Sequence, residues 1–95
     1  WETIGNAERY VLSLHPDTSE GSVLLRTKPG WTSGTDGEPL TRFEEIFVLE
    51  GALDCSDGHT YDEGCYQFEQ PGTPRRQLTC ADSALIYLTV GPVTQ

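Results

Sequence analysis

The stretch Glu44–Gly51, with the sequence EEIFVLEG, is the strongest strand signal in the chain and decides its fold. Successive side chains of a strand point to opposite faces. The two predicted faces are Glu44, Ile46 and Val48 on one side, and Glu45, Phe47 and Leu49 on the other. Because both faces hold apolar residues, we expect both to be covered. A buried carboxylate is costly without a partner, so another part of the chain should supply one for Glu44.

Length and composition predict a single all-β domain over residues 1–95. A chain of 95 residues buries only roughly 60–65% of its unfolded surface, so its core must be thin. The 10 glycines and 6 prolines interrupt every stretch long enough for an amphipathic helix. Roughly seven to nine short strands are expected, at the spacing typical of a sandwich or a closed barrel.

The other predicted strands are alternating or apolar runs between turn residues. They are Tyr10–Leu14, Ser22–Thr27, Ala52–Cys55, His59–Tyr61, Tyr66–Glu69, Arg75–Cys80 and Ser83–Val90. Residues 31–42 form the one extended irregular segment, and such segments in compact domains are often functional.

Charge and cysteine content restrict the partners and the compartment. The formal net charge of -9 argues against binding to nucleic acid or to an anionic membrane surface. No stretch resembles a transmembrane helix or a signal peptide. Three cysteines, Cys55, Cys65 and Cys80, lack C-x-x-C spacing, which favours free thiols in a reducing, cytoplasmic setting. A single Cys65–Cys80 bridge is the alternative if their strands pair.

Two motifs resemble those of the cupin family, whose members are small jelly-roll barrels. The first cupin motif ends in Glu, six residues and Gly, which Glu44 and Gly51 match. In the second motif, Gly64 and Gly72 match two glycines, and Arg75 stands at the place of a histidine. The resemblance covers roughly residues 23–90. It implies an all-β, cupin-like double-stranded β-helix, that is, a jelly-roll barrel.

The same resemblance implies that the usual metal site is degenerate. Cupins hold Fe, Mn, Ni or Zn with three His and one Glu, of which this chain keeps only Glu44. Counting from Gly30 places Asp36 and Glu38 at the first two His positions, and counting back from Glu44 places Glu38 and Leu40 there. The only two histidines, His15 and His59, lie outside both motifs.

Arg75 changes the chemistry expected at this position, because a guanidinium cannot ligate a cation. We expect Arg75 to pair with Glu44 where the metal normally sits. One alternative is a pocket in which Glu44, Arg75 and either Gln77 or Arg76 orient a small polar ligand. Another is a divalent metal held by Asp36, Glu38 and Glu44, a carboxylate set suited to Mg, Ca or Mn.

Periodicity and the motif disagree about which arginine faces inward. Arg75, Gln77 and Thr79 share one face of the predicted strand, whereas Arg76 shares the other with Leu78. The motif favours Arg75, and we adopt that assignment.

Two further expectations concern the barrel mouth and its outer face. Trp31 and Tyr66 are candidates to line the mouth, as aromatic residues do in many ligand pockets. Phe47, Leu49 and the two-sided apolar strand at 85–90 need cover on the outer face, and a second copy in a homodimer would supply it.

The leading functional hypothesis is a cupin-like protein that binds a small polar molecule in its barrel without a metal cofactor. One alternative is a metal-dependent cupin enzyme, of the dioxygenase or isomerase type, with an atypical carboxylate shell. A second alternative is a structural dimerisation module. The residues leave open whether the chain is an enzyme.

Overall fold

The computed structural model describes residues 1–17, 20–34 and 36–92. Nine strands form in these residues, and their bounds are β1 Glu2–Ile4, β2 Ala7–Leu14, β3 Gly21–Thr27, β4 Glu44–Gly51, β5 Leu53–Cys55, β6 Thr60–Tyr61, β7 Tyr66–Glu69, β8 Leu78–Thr79 and β9 Ala84–Val90. No helix long and apolar enough to cross a membrane occurs in the described ranges.

Two antiparallel sheets face each other and enclose the interior. The large sheet has the strand order β1-β2-β3-β9-β4-β7, and the small sheet has the order β6-β5-β8. Buried residues from both sheets form one cluster, to which Val48 and Ile86 contribute from the large sheet and Leu53, Tyr61 and Leu78 from the small sheet. The all-β jelly-roll prediction is confirmed.

Strand β4 lies between β9 and the edge strand β7 of the large sheet. Its inner face carries Glu44, Ile46 and Val48, as the alternation predicts, and Val48 is fully buried. The register against β9 shifts between Val48 and Glu50, so a bulge at Leu49 interrupts the predicted outer face after Phe47.

The end of β4 requires a glycine for two reasons. Gly51 has a φ of +79°, in the left-handed region that L side chains rarely adopt. A Cβ at this position would also lie 2.3 Å from the Ser83 carbonyl oxygen. The glycine at the end of the first motif therefore allows the chain to turn tightly against the start of β9.

Two local predictions differ from the structure. Of the predicted strand Arg75–Cys80, only Leu78–Thr79 is a strand, because residues 75–77 bond instead to the 31–42 segment and to neighbouring loops. Tyr66 and Phe68 are exposed on the outer face, whereas Gln67 and Glu69 are partly buried on the inner face. The prediction of free thiols is confirmed, because all three cysteines are free and two of them are buried in the core.

The outer face of the large sheet carries a row of apolar and aromatic side chains. Cross-strand neighbours follow one another in the order Tyr10, Leu24, Tyr87, Phe47 and Tyr66. The aromatic members are between 37% and 55% exposed. We call this row the outer aromatic row.

Candidate functional site

The candidate site lies between the two sheets, at the end of the barrel formed by β4 and β7. Its interior space measures about 30 Å³ and is lined by Ser33, Leu40, Glu44, Ile46, Tyr61, Gln67, Glu69, Arg75, Arg76 and Leu78. We call it the polar compartment. A space of this size holds only about one or two water molecules.

Two carboxylates face the polar compartment from neighbouring strands. Glu44 on β4 is the cross-strand partner of Glu69 on β7, and like charges placed opposite each other destabilise a sheet. Two consecutive arginines resolve this repulsion. Arg75 Nη2 lies 3.3 Å from Glu44 Oε2, and Arg76 Nη2 pairs with Glu69 Oε1. Each carboxylate therefore has its own guanidinium.

The irregular segment 31–42 holds Arg75 in place. The Arg75 amide donates to the Glu38 carbonyl oxygen at 2.8 Å, and the Arg75 carbonyl accepts from the Gly37 amide at 2.7 Å. Arg75 Nη1 donates to the Ser33 carbonyl oxygen at 3.3 Å. Gly34 lets the side chain pass, because a Cβ there would lie 3.3 Å from Arg75 Cδ. This loop therefore has a structural task at the site.

Arg76 is held by carboxylates from two directions. Besides Glu69, it donates from Nη1 to Asp57 Oδ2 at 3.3 Å, and the bond to Glu69 raises the pKa of the Arg76 guanidinium. The His59 backbone amide and imidazole both bond to Asp57 and hold the pKa of its carboxyl well below the ordinary value. Asp57 thus stays ionised next to Arg76.

The interior face of the compartment also contains a buried phenol. Tyr61 is 8% exposed, and burial, with a hydrogen bond to Cys55, raises the pKa of its hydroxyl to about 12. A group with such a pKa stays neutral at physiological pH.

The residues at this position do not fit a transition metal. Both inward carboxylates are bonded to guanidinium groups, and Arg75 and Arg76 would repel a cation. Leu40, which stands at one of the two possible His positions, is 5% exposed and supplies no donor atom. Within the described ranges, no three His, Cys, Asp or Glu side chains form a group that could hold a metal ion.

The alternative carboxylate shell is not assembled either. Asp36 is exposed, and its Oδ1 accepts from the Ser56 hydroxyl at 2.6 Å and from the Gln77 amide at 3.0 Å. These two bonds lower the pKa of the Asp36 carboxyl. Glu38 is also exposed, and it contacts the site through its carbonyl oxygen. Neither side chain joins Glu44.

A second and larger space lies on the inner face of the large sheet, beside β1, β2 and β3. It measures about 310 Å³ and is lined by Ile4, Ala7, Arg9, Val11, Ser13, Leu14, Gly21, Val23, Leu25, Trp31, Arg42, Leu88 and Val90. We call it the apolar compartment. Among the described residues, it shares no lining residue with the polar compartment, although Val90 and Glu44 are cross-strand neighbours.

The structure separates the predicted ligand-binding residues. Glu44 and Arg75 meet in the polar compartment, and Arg76 lines the same space because residues 75–77 do not alternate as a strand. Gln77 donates from Nε2 to the Gly34 carbonyl oxygen at 2.7 Å and lies outside that lining. Trp31 lines the apolar compartment. Tyr66 lies instead on the outer face, 55% exposed, where its hydroxyl donates to Glu45.

Sequence reasoning did not identify Glu69 as a site residue. The alternation in β7 places Tyr66 and Phe68 on one face and Gln67 and Glu69 on the other. Because Tyr66 and Phe68 are the more apolar pair, the sequence does not indicate that Gln67 and Glu69 face the interior. The antiparallel pairing of β7 with β4 was the missing information, since it puts Glu69 opposite the inward Glu44.

Comparisons with known proteins agree with the jelly-roll fold. The family model described as the ChrR cupin-like domain matches residues 1–94. None of the curated proteins compared with this sequence matches it.

Solved structures with the same fold are distant in sequence. A Ralstonia eutropha protein of unknown function with a cupin-like fold is 15% identical, with a TM-score of 0.76 over 92% of this chain and 60% of its own. An acetylacetone dioxygenase from Acinetobacter johnsonii is 17% identical, with a TM-score of 0.71 over 97% and 66%. The Cupin_2 domain of an XRE family transcriptional regulator from Enterobacter cloacae is 13% identical, with a TM-score of 0.67 over 90% and 95%. This chain thus spans less than two thirds of the first two proteins.

Proposed function

This chain belongs to the family of ChrR cupin-like domains, and we propose that it is a binding module that takes up a small molecule in its barrel without a metal cofactor. The observation that carries the proposal is the Glu44–Arg75 pair at the position where cupins hold their metal, with 3.3 Å between Nη2 and Oε2. The pair neutralises the only motif ligand that the chain retains.

The arrangement of the polar compartment supports a structural role for its ion pairs. Its space of about 30 Å³ is far below the roughly 300–1,000 Å³ of typical small-molecule sites. The two consecutive arginines tie β4 and β7 to the loops that precede β8 and follow β5. We infer that Glu44 and Arg75 hold the barrel in shape and give its interior a polar end, while the larger ligand volume lies in the apolar compartment.

The similarity to the Cupin_2 domain of a transcriptional regulator supports an accessory or sensing role. This chain has nearly the length of that domain. A module with this role changes the activity of the protein that contains it when the module binds its ligand. The dioxygenase and isomerase alternatives lack support from the donor atoms at the site.

We also propose that a second copy of the chain covers the outer aromatic row. Successive members of the row lie on neighbouring strands, so the row crosses five of the six strands of the large sheet. It therefore presents a broad surface rather than a pocket. Two copies related by a two-fold axis would present the same surface to each other.

Elemental analysis of the purified protein tests the central proposal. We expect less than about 0.1 equivalent of Fe, Mn, Ni, Zn, Mg or Ca after expression in metal-supplemented medium, because two guanidinium groups occupy the site. We also expect these ions to leave the unfolding temperature unchanged, since a ligand that binds only the native state would raise it. One equivalent of metal that is lost in the Glu44→Gln variant would contradict the proposal.

A further inference from the structure

The wall of the apolar compartment contains arginines, although the chain as a whole is acidic. The chain contains 15 acidic residues and only 6 Lys and Arg. Two of those six, Arg9 and Arg42, line this compartment, and none of its described lining residues is Asp or Glu. A guanidinium in the wall of an otherwise apolar cavity can pair with an anion.

Arg9 has hydrogen-bonding capacity that the protein leaves unused. Its Nη2 donates to both carboxylate oxygens of Glu2, at 3.1 and 3.2 Å. Its Nε is buried and, among the described residues, has no hydrogen-bond partner. A buried donor without a partner is unfavourable, and the guanidinium fork is suited to a carboxylate bound through two nitrogens. The existing partner is easily displaced, because the Glu2 side chain is 60% exposed.

The walls of the compartment suit an apolar body. Aliphatic side chains from three adjacent strands, including Val11, Val23 and Leu88, form one side, and Trp31 lies among the lining residues. The volume of about 310 Å³ falls within the roughly 300–1,000 Å³ of small-molecule sites. A few polar groups in an otherwise apolar wall give such sites their orientation and specificity.

We propose that the apolar compartment binds a small amphipathic carboxylate, with its hydrocarbon body against the aliphatic wall and its carboxylate on the Arg9 guanidinium. This inference rests on the proposed function as a binding module, and it names the site and the ligand class. Binding involves no covalent step. The ligand carboxylate satisfies Arg9 Nε and takes the place of the exposed Glu2 side chain.

Hexanoate is a suitable probe, with 1-hexanol and hexylammonium as matched controls of the same chain length. Isothermal titration calorimetry gives the affinities. Fluorescence gives the location, because in the Trp1→Phe variant Trp31 is the single tryptophan, the chain having two. We expect hexanoate to bind about tenfold or more tightly than hexanol, since hydrogen bonds to charged groups are the stronger ones. Hexylammonium should bind least.

Two arginine variants of equal net charge test the role of Arg9. Arg9→Gln should bring hexanoate to the affinity of hexanol. Arg26→Gln should leave it unchanged, because Arg26 is exposed and its guanidinium lies 4.7 Å from the Trp1 ring centroid. Glu2→Gln should tighten hexanoate binding severalfold by removing the competing carboxylate. Circular dichroism confirms that each variant is folded.

Three results would overturn the inference. They are equal affinity for hexanoate and hexanol, equal loss in the Arg9 and Arg26 variants, and no titration signal with any probe. None of these three results contradicts the proposed function, provided that the protein contains no metal. A stoichiometric metal would instead contradict the proposed function whatever hexanoate does.

Discussion

Replacing Arg75 by Met should destabilise the domain by about 3 kcal/mol, because the change leaves Glu44 inside the barrel without its partner. The Arg75 and Glu44 side chains are 24% and 18% exposed, and 3.3 Å separates Nη2 from Oε2. At an effective dielectric constant of about 20, two unit charges at this distance attract by about 5 kcal/mol. The lost hydration of both ions offsets much of that attraction. Truncating Arg75 removes this attraction, whereas part of the cost of removing Glu44 from water remains.

A double-mutant cycle separates the pair from its surroundings. Glu44→Gln alone should cost about 1–2 kcal/mol, since Arg75 keeps the Ser33 carbonyl as an acceptor. The double variant should cost about 1–2 kcal/mol less than the two single changes added together. Urea unfolding at pH 7 in 0.15 M salt, followed by circular dichroism, measures all four proteins. With a slope of about 1–1.5 kcal/mol/M, the single Arg75 variant should lose about 2–3 M in its midpoint.

An exposed pair in the same molecule is the control. Lys28 Nζ lies 3.8 Å from Glu8 Oε1, and the Lys28 side chain is 49% exposed. Exposed pairs contribute about 0–1 kcal/mol, so the Lys28→Met and Glu8→Gln cycle should show a coupling below about 0.5 kcal/mol. A coupling for Glu44 and Arg75 no larger than this control would refute the reasoning that the two side chains replace the metal as one unit.

Two further predictions concern the outer aromatic row and the buried phenol. Phe47→Glu should convert a dimer to a monomer in sedimentation velocity, because it places a charge inside the row between Tyr87 and Tyr66, whereas Tyr10→Glu at the end of the row should weaken the dimer less. A wild-type chain that sediments as a monomer would rule out this interface. Tyr61, with its pKa raised to about 12 from an ordinary value near 10, should lose stability as pH rises from about 10 to 12, because the unfolded phenol ionises first. Tyr61→Phe should flatten this alkaline loss relative to the wild type in urea unfolding at pH 9 to 11.5, and an equal loss in both proteins would contradict the assignment.

The motif around Glu44 predicts the part of the fold that its own residues form. Alternation placed Glu44, Ile46 and Val48 on one face, and the structure has them there. The final glycine of the motif predicted the turn, and the positive φ of Gly51 explains why the turn requires a glycine. Arg75 at the place of a metal ligand predicted its contact with Glu44, and the two do meet. These features depend on local periodicity and on short spacings, which can be read directly from the sequence.

Tertiary structure decided which carboxylates and which arginines form the site. Glu69 faces the interior only because β7 pairs antiparallel with β4, and strand register is a property of two segments rather than one. Arg75 and Arg76 both reach the polar compartment because residues 75–77 bond to neighbouring loops and leave the strand alternation. The apolar compartment likewise brings together Arg9, Trp31 and Arg42, which lie far apart in the chain. Sequence alone therefore determined the barrel and the absence of the three motif histidines, whereas the pairing of distant segments decided where the two compartments lie.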